Sequence, residues 1–119
     1  MNELFASTIE GDLNTILDQM GDAVCVANKD FVFLAVNANW ARFYGLSDPK
    51  ILLGKSAYEV YPGFKKSVFY EACMRTAATG ETTTRYGYSM GQKKWFVARC
   101  YQIGDDRYAM MVHDITDNT

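Results

Sequence analysis

The chain of 119 residues has one histidine, three cysteines and little basic charge, and each shortage removes a class of function. His113-Asp114 resembles the doublet of metal phosphohydrolases, but such centres need further histidines and none is present. Cys25, Cys73 and Cys100 are widely spaced among apolar neighbours, odd in number and without a CxxC pair. They read as buried reduced thiols, not as a disulfide frame or a zinc site. The longest clean apolar run, Phe31 to Val36, is too short to span a bilayer, and no basic segment followed by an apolar stretch opens the chain. These features point to a cytoplasmic protein or fragment with no membrane partner. With a net charge of −2 and only two basic doublets, Lys65-Lys66 and Lys93-Lys94, the chain lacks the basic face that binding nucleic acid requires. No glycine loop cradles phosphate, and no serine or cysteine comes with a base and an orienting partner, so catalysis by this chain is not expected.

What is present is globular composition, 49% hydrophobic and 22% charged, enough for one domain with a single core. Leu4, Phe5, Ile9, Leu13, Ile16, Leu17 and Met20 recur at three- and four-residue steps. This predicts an amphipathic helix over residues 8–20, stopped by Gly21. Two β-rich runs follow, Ala23–Asn28 and Phe31–Asn37, joined by a turn through Asn28-Lys29-Asp30. Three short helical pieces come next: NANWARFYG, SDPKILLG with Ser47 or Asp48 as cap, and SAYEVYPG. A longer helix is predicted over Lys65–Thr79, with Phe69, Ala72, Cys73 and Thr76 on one face and Gly80 as its stop. Three strands complete the chain, Glu81–Ser89, Lys93–Ile103 and Arg107–Ile115, separated by turns at Met90-Gly91 and Gly104-Asp105. That order fits an α+β domain with a five-stranded antiparallel sheet and helices collected on one face. The sheet is apolar on both faces, so it needs two covers. The central helices supply one; the N-terminal helix or a second subunit supplies the other, through Ile9, Leu13, Ile16 and Leu17.

Five segments in order are similar to those of PAS domains, the small sensory modules of bacterial signalling proteins. They are VNANWARFYGL (Val36–Leu46), LLGKSAYEVYP (Leu52–Pro62), ATGET (Ala78–Thr82), KKWFVARCYQI and the terminal HDIT. The resemblance runs from about residue 20 to the end. It divides the chain into an N-terminal cap or dimerisation helix, residues 1–21, and a PAS sensory domain, residues 22–119. It implies a sheet of spatial order 2-1-5-4-3 whose concave face, closed by the helices, forms a pocket. It further implies a homodimer and an effector domain following this chain, such as a histidine kinase of a two-component system or a cyclic-dinucleotide enzyme. Asp114, Ile115 and Thr116 correspond to the tripeptide that closes the last strand and relays the signal: Asp114 or Thr116 accepts from free backbone N–H groups at a helix start, and Ile115 anchors the turn.

Alternation then nominates the pocket lining. With Phe96 inward, Ala98 and Cys100 follow, and Trp95, Val97, Arg99 and Tyr101 point out. The family register turns Tyr108, Met110 and Val112 inward and His113 outward. Tyr86 and Tyr88 are expected to share the inner face of the third strand. Trp40, Phe43, Tyr58, Phe69 and Cys73 are the helical contributors. The same list would also fill an ordinary core. A small molecule in this pocket and a ligand-free module for dimerisation or protein–protein interaction therefore both stand as readings. Cofactor identity is not legible, and a coloured cofactor is not expected. Haem PAS domains place a histidine on the long helix, where this chain has none. Flavin photochemistry needs a cysteine where Ala57 stands, and Phe96 and Val112 occupy the positions of the flavin-binding amides. A non-covalent flavin redox sensor, with rings stacked on Trp40 and the tyrosines, remains a lesser alternative.

Overall fold

Asn28 organises the first turn. Its Oδ1 accepts from the backbone N–H of Asp30 (2.9 Å) and of Val32 (3.0 Å), a local bond that asparagine makes readily. The turn joins strand β1 (Ala23–Asn28) to β2 (Phe33–Val36). In this computed structural model, which describes residues 21–43, 45–89 and 93–116, β2 begins later than the apolar run implies. Phe31 takes φ +62°, a conformation disfavoured for a bulky side chain. Val32 makes only an isolated bridge to Ser56. The expected strand Phe31–Asn37 is shortened at its other end because Asn37 caps the next helix, α1 (Ala38–Phe43). Its buried Oδ1 accepts from Trp40 N–H (2.9 Å) and Val24 N–H (3.0 Å), while its Nδ2 donates to the Asp22 carbonyl.

A 3-10 turn, Pro49–Leu52, is capped by Asp48, and α2 (Ala57–Val60) opens on a capping box between Ser56 and Glu59. A second 3-10 turn, Phe64–Lys66, precedes α3 (Val68–Thr79). The single helix expected over Lys65–Thr79 is corrected here. Ser67 has extended backbone and its Oγ accepts from Tyr70 N–H, so the helix starts after it and both lysines fall in the 3-10 turn. The buried face of α3 is the predicted one, Phe69, Ala72, Cys73 and Thr76, and Gly80 at φ +74° ends it.

Strands β3 (Thr83–Ser89), β4 (Lys94–Gly104) and β5 (Arg107–Asp114) complete an antiparallel sheet of order β2-β1-β5-β4-β3. Cross-strand partners share a face. One row runs Thr83, Cys100, Met110, Cys25; the next runs Arg85, Ala98, Val112, Ala23; a third pairs Gly87 with Phe96. These rows pack on the helices, and their apolar members are buried. The opposite face carries Tyr86, Val97 and His113 in one row, and Tyr88 beside Trp95 in another.

Tyr86 and Tyr88 therefore do not share the inner face, contrary to expectation. Gly87 explains the reversal. A Cβ on Gly87 would lie 2.7 Å from Cζ of Phe96, so the Phe96 ring occupies the space an inward side chain would need. With Gly87 inward, its two tyrosine neighbours must point out; Tyr86 is 66% exposed and Tyr88 42%. The predicted helix over residues 8–20, with Ile9, Leu13, Ile16 and Leu17, and the turn at Met90-Gly91 lie outside the described residues. Among the described residues, no helix is long and apolar enough to cross a membrane.

Candidate functional site

The helices meet the inner sheet face around a small, partly open cavity of about 20 Å³. Cys25 and Ala27 of β1 and Tyr108 and Met110 of β5 form its floor. Its walls are Phe33, Trp40, Ala57, Phe69 and Cys73, and Phe31 and Phe64 close it. The left-handed backbone at Phe31 brings its ring against Phe64 (centroids 5.0 Å apart), Tyr58 (5.6 Å) and Tyr70 (5.8 Å), mostly edge to face. A volume this small holds about one water-sized occupant. Its lining is almost wholly apolar, so an occupant without charge is favoured.

Of the residues turned inward by the sequence reading, Trp40, Phe69, Cys73, Tyr108 and Met110 face this cavity. Phe43, Phe96, Ala98, Cys100 and Val112 belong to the same core but do not line the cavity; Phe43, Phe96 and Val112 border a separate, more open cleft. Phe96 stacks on Phe69 at 5.3 Å and 11°, and Phe43 meets both edge to face. Tyr58 is 42% exposed; its ring packs outside Phe31 and Phe64, with Lys65 Nζ 5.6 Å from its centroid. Tyr58 therefore supports the closing pair from outside and does not line the cavity.

Sequence reasoning missed Cys25, Ala27, Phe31, Phe33, Ala57 and Phe64 as lining residues. Alternation along β1 could have supplied Cys25 and Ala27, which share a face. Nothing in periodicity marks Phe31 or Phe64, because one sits in a turn and the other in a 3-10 segment.

The three cysteines are free thiols in the core. Cys73 Sγ lies 3.3 Å from Cys100 Sγ. That hydrogen bond, together with burial, pushes the Cys73 thiol well above its ordinary range, and burial pushes Cys25 up as well. The same bond, with one from Thr76, favours charge on Cys100, and burial opposes it. Among the described residues, no group of three or more His, Cys, Asp or Glu side chains is arranged to hold a metal ion.

At the end of β5, the Asp114–Thr116 segment is clipped to the start of β4. Ile115 N–H donates to the Trp95 carbonyl (3.0 Å), and Trp95 N–H donates to Thr116 Oγ1 (2.9 Å). Asp114 Oδ1 accepts from Thr116 N–H at 2.9 Å, and Oδ2 lies 3.5 Å from Lys94 Nζ. The backbone N–H of Thr116 foremost, then its hydroxyl and Lys94, hold the Asp114 carboxyl below the usual range. On the outer face, His113 Nδ1 lies 2.5 Å from Asp22 Oδ1, which joins the end of β5 to the residue just before β1. The sole histidine thus faces away from the cavity.

A family model described as PAS fold matches residues 17–119. A comparison with curated protein sequences finds no significant match. Among solved structures, the PAS domain of Bordetella pertussis BvgS superposes with a TM-score of 0.71 at 18% identity, over 92% of this chain and 88% of that one. A sensory box sensor histidine kinase from Vibrio cholerae gives 0.67 at 15% identity, over 98% and 99%. The Vibrio cholerae VqmA dimer, a LuxR-type receptor with a target DNA, gives 0.74 at 14% identity, over 90% of this chain and 52% of that one. At such identities the likeness is one of fold.

Proposed function

The chain belongs to the PAS fold family, and from that premise we propose that it is the cytoplasmic sensory module of a bacterial signalling protein. In this reading it binds a small uncharged molecule in the cavity under Phe31 and Phe64, dimerises, and drives an effector beyond its C-terminus. The apolar cavity between β1, β5 and the helices is the observation that carries it. Met110 borders the cavity, and β5 ends only a few residues later in the Asp114–Thr116 clip. A ligand acts by preferring one of two arrangements of that strand. Tyr108, and not Tyr86 or Tyr88, is the tyrosine that borders the cavity. The lining does not fit haem, whose axial histidine has no counterpart on this side of the sheet, and the cavity as it stands does not admit an isoalloxazine ring.

Native mass spectrometry of the purified chain tests the proposal. Retained small-molecule mass, released on unfolding, is the expected result, in protein without a Soret or flavin band. Bare chain mass in every preparation would sink the ligand reading. The second reading, a ligand-free association module, would then stand; the small volume of the cavity and the stacking of Phe69 on Phe96 favour it.

A further inference from the structure

Three thiols that are far apart in sequence meet in one part of the core. Cys25 and Cys100 flank Met110 in a single cross-strand row. Cys73, reaching over from α3, brings its Sγ to 3.3 Å from that of Cys100, 27 residues away. Cys73 opens on the cavity, and Cys100 lies directly behind it, fully buried.

We propose that Cys73 and Cys100 form a dithiol site on the cavity wall for a small uncharged thiophile, the class to which trivalent arsenic hydroxide belongs. This rests on the cavity reading above and gives the occupant a chemical class. Two sulfurs already in contact, held on a helix and a strand, can both bond one atom that carries two exchangeable groups. Charge decides which thiophile. Cys73, the thiol that opens on the cavity, is held neutral by its bond to Cys100 and by burial, while the same bond favours charge on Cys100. Peroxide in the cavity is attacked by thiolate, and a divalent metal ion bridging the pair binds thiolate, so each would require Cys73 to lose its proton inside the core.

Arsenous acid requires no such ionisation. Two As–O bonds break and two S–As bonds form, and each thiol proton leaves with a hydroxide as water. The product is (RS)₂As–OH, arsenic stays trivalent, and no buried charge is created. Cys25, on the far side of Met110, stays outside the chelate.

The test is incubation of the folded full chain with arsenite, read by native mass spectrometry and thermal melting. The expected result is one arsenic per chain, resistant to a monothiol, released by a small dithiol, and accompanied by a raised melting temperature. Tyr86→Ala, on the outer face, keeps the adduct; Cys73→Ala and Cys100→Ala lose it. Should either cysteine variant fail to fold, a peptide map of the wild-type adduct decides the same question, since one arsenic must join the Cys73 and Cys100 peptides. The inference is overturned by the absence of an adduct on folded protein, by an adduct that survives both cysteine variants, or by arsenic found on Cys25. Retention of other uncharged ligands alongside such a failure would leave the cavity reading intact. Bare chain mass before arsenite, followed by the expected adduct, would do the reverse.

Discussion

The two faces of the sheet are built from similar residues and behave oppositely. On the helix side Phe96 is 7% exposed; its sequence neighbour Trp95, on the other face, is 48% exposed. Both are aromatic, and both sit on strands where aromatic side chains are favoured. The difference lies in the surroundings, since Phe96 is gripped by Phe69, Phe43 and the bare backbone of Gly87, while Trp95 meets the half-exposed ring of Tyr88. Aromatic content alone does not identify a core face; the partner across the strand does.

The largest expected effect breaks this contrast at its centre. Phe96→Ala should cost about 3–5 kcal/mol by cavity formation, against about 0.5 kcal/mol or less for Tyr86→Ala on the other face. Chemical denaturation of both variants measures the gap, and comparable losses would mean the faces are misassigned. Next, Gly87→Ala should destabilise by about 1–3 kcal/mol, because its methyl group enters the space of the Phe96 ring. Combining it with Phe96→Leu should recover part of the loss, as a double-mutant cycle would show.

The smallest effect is at the clip. Asp114→Ala should cost on the order of 1 kcal/mol or less. Because the folded carboxyl is held below its ordinary range, its contribution is complete above about pH 4 and fades as pH falls through the depressed value. Protection of the Thr116 amide, its exchange rate relative to that of a free peptide at the same pH, should fall in that acid window in wild type and be low throughout in the variant. In a longer protein the same substitution should leave ligand affinity within a few-fold while weakening the ligand's control of output.

Much of this architecture was legible in advance because it rests on periodicity. The spacing of Phe69, Ala72, Cys73 and Thr76 marks a helix face, Gly80 marks its stop, and alternation from Phe96 to Cys100 marks a strand face. The family segments supplied the strand order. What stayed hidden depends on single backbone events. Phe31 in a left-handed turn, Phe64 in a 3-10 segment and Ser67 as a late cap carry no repeating signal. The outward turn of Tyr86 and Tyr88 was readable only from Gly87 between them, since a lone glycine in a strand often marks a close approach. The lining of the cavity was therefore only partly foreseeable, since its closing ring pair arises from loops.

The contact between Asp22 and His113 has a consequence for protein architecture at large. β1 and β5 are adjacent, antiparallel and central in the sheet, so the chain enters and leaves the described domain side by side. Neighbouring strands lie only about 4.8 Å apart. Flanking polypeptide would meet the fold as a pair of closely spaced tethers rooted on two neighbouring interior strands. A unit with such a footprint can be spliced into a host chain without prising the host apart. Any shear between those two strands would reach the host as relative sliding of two adjoining rods.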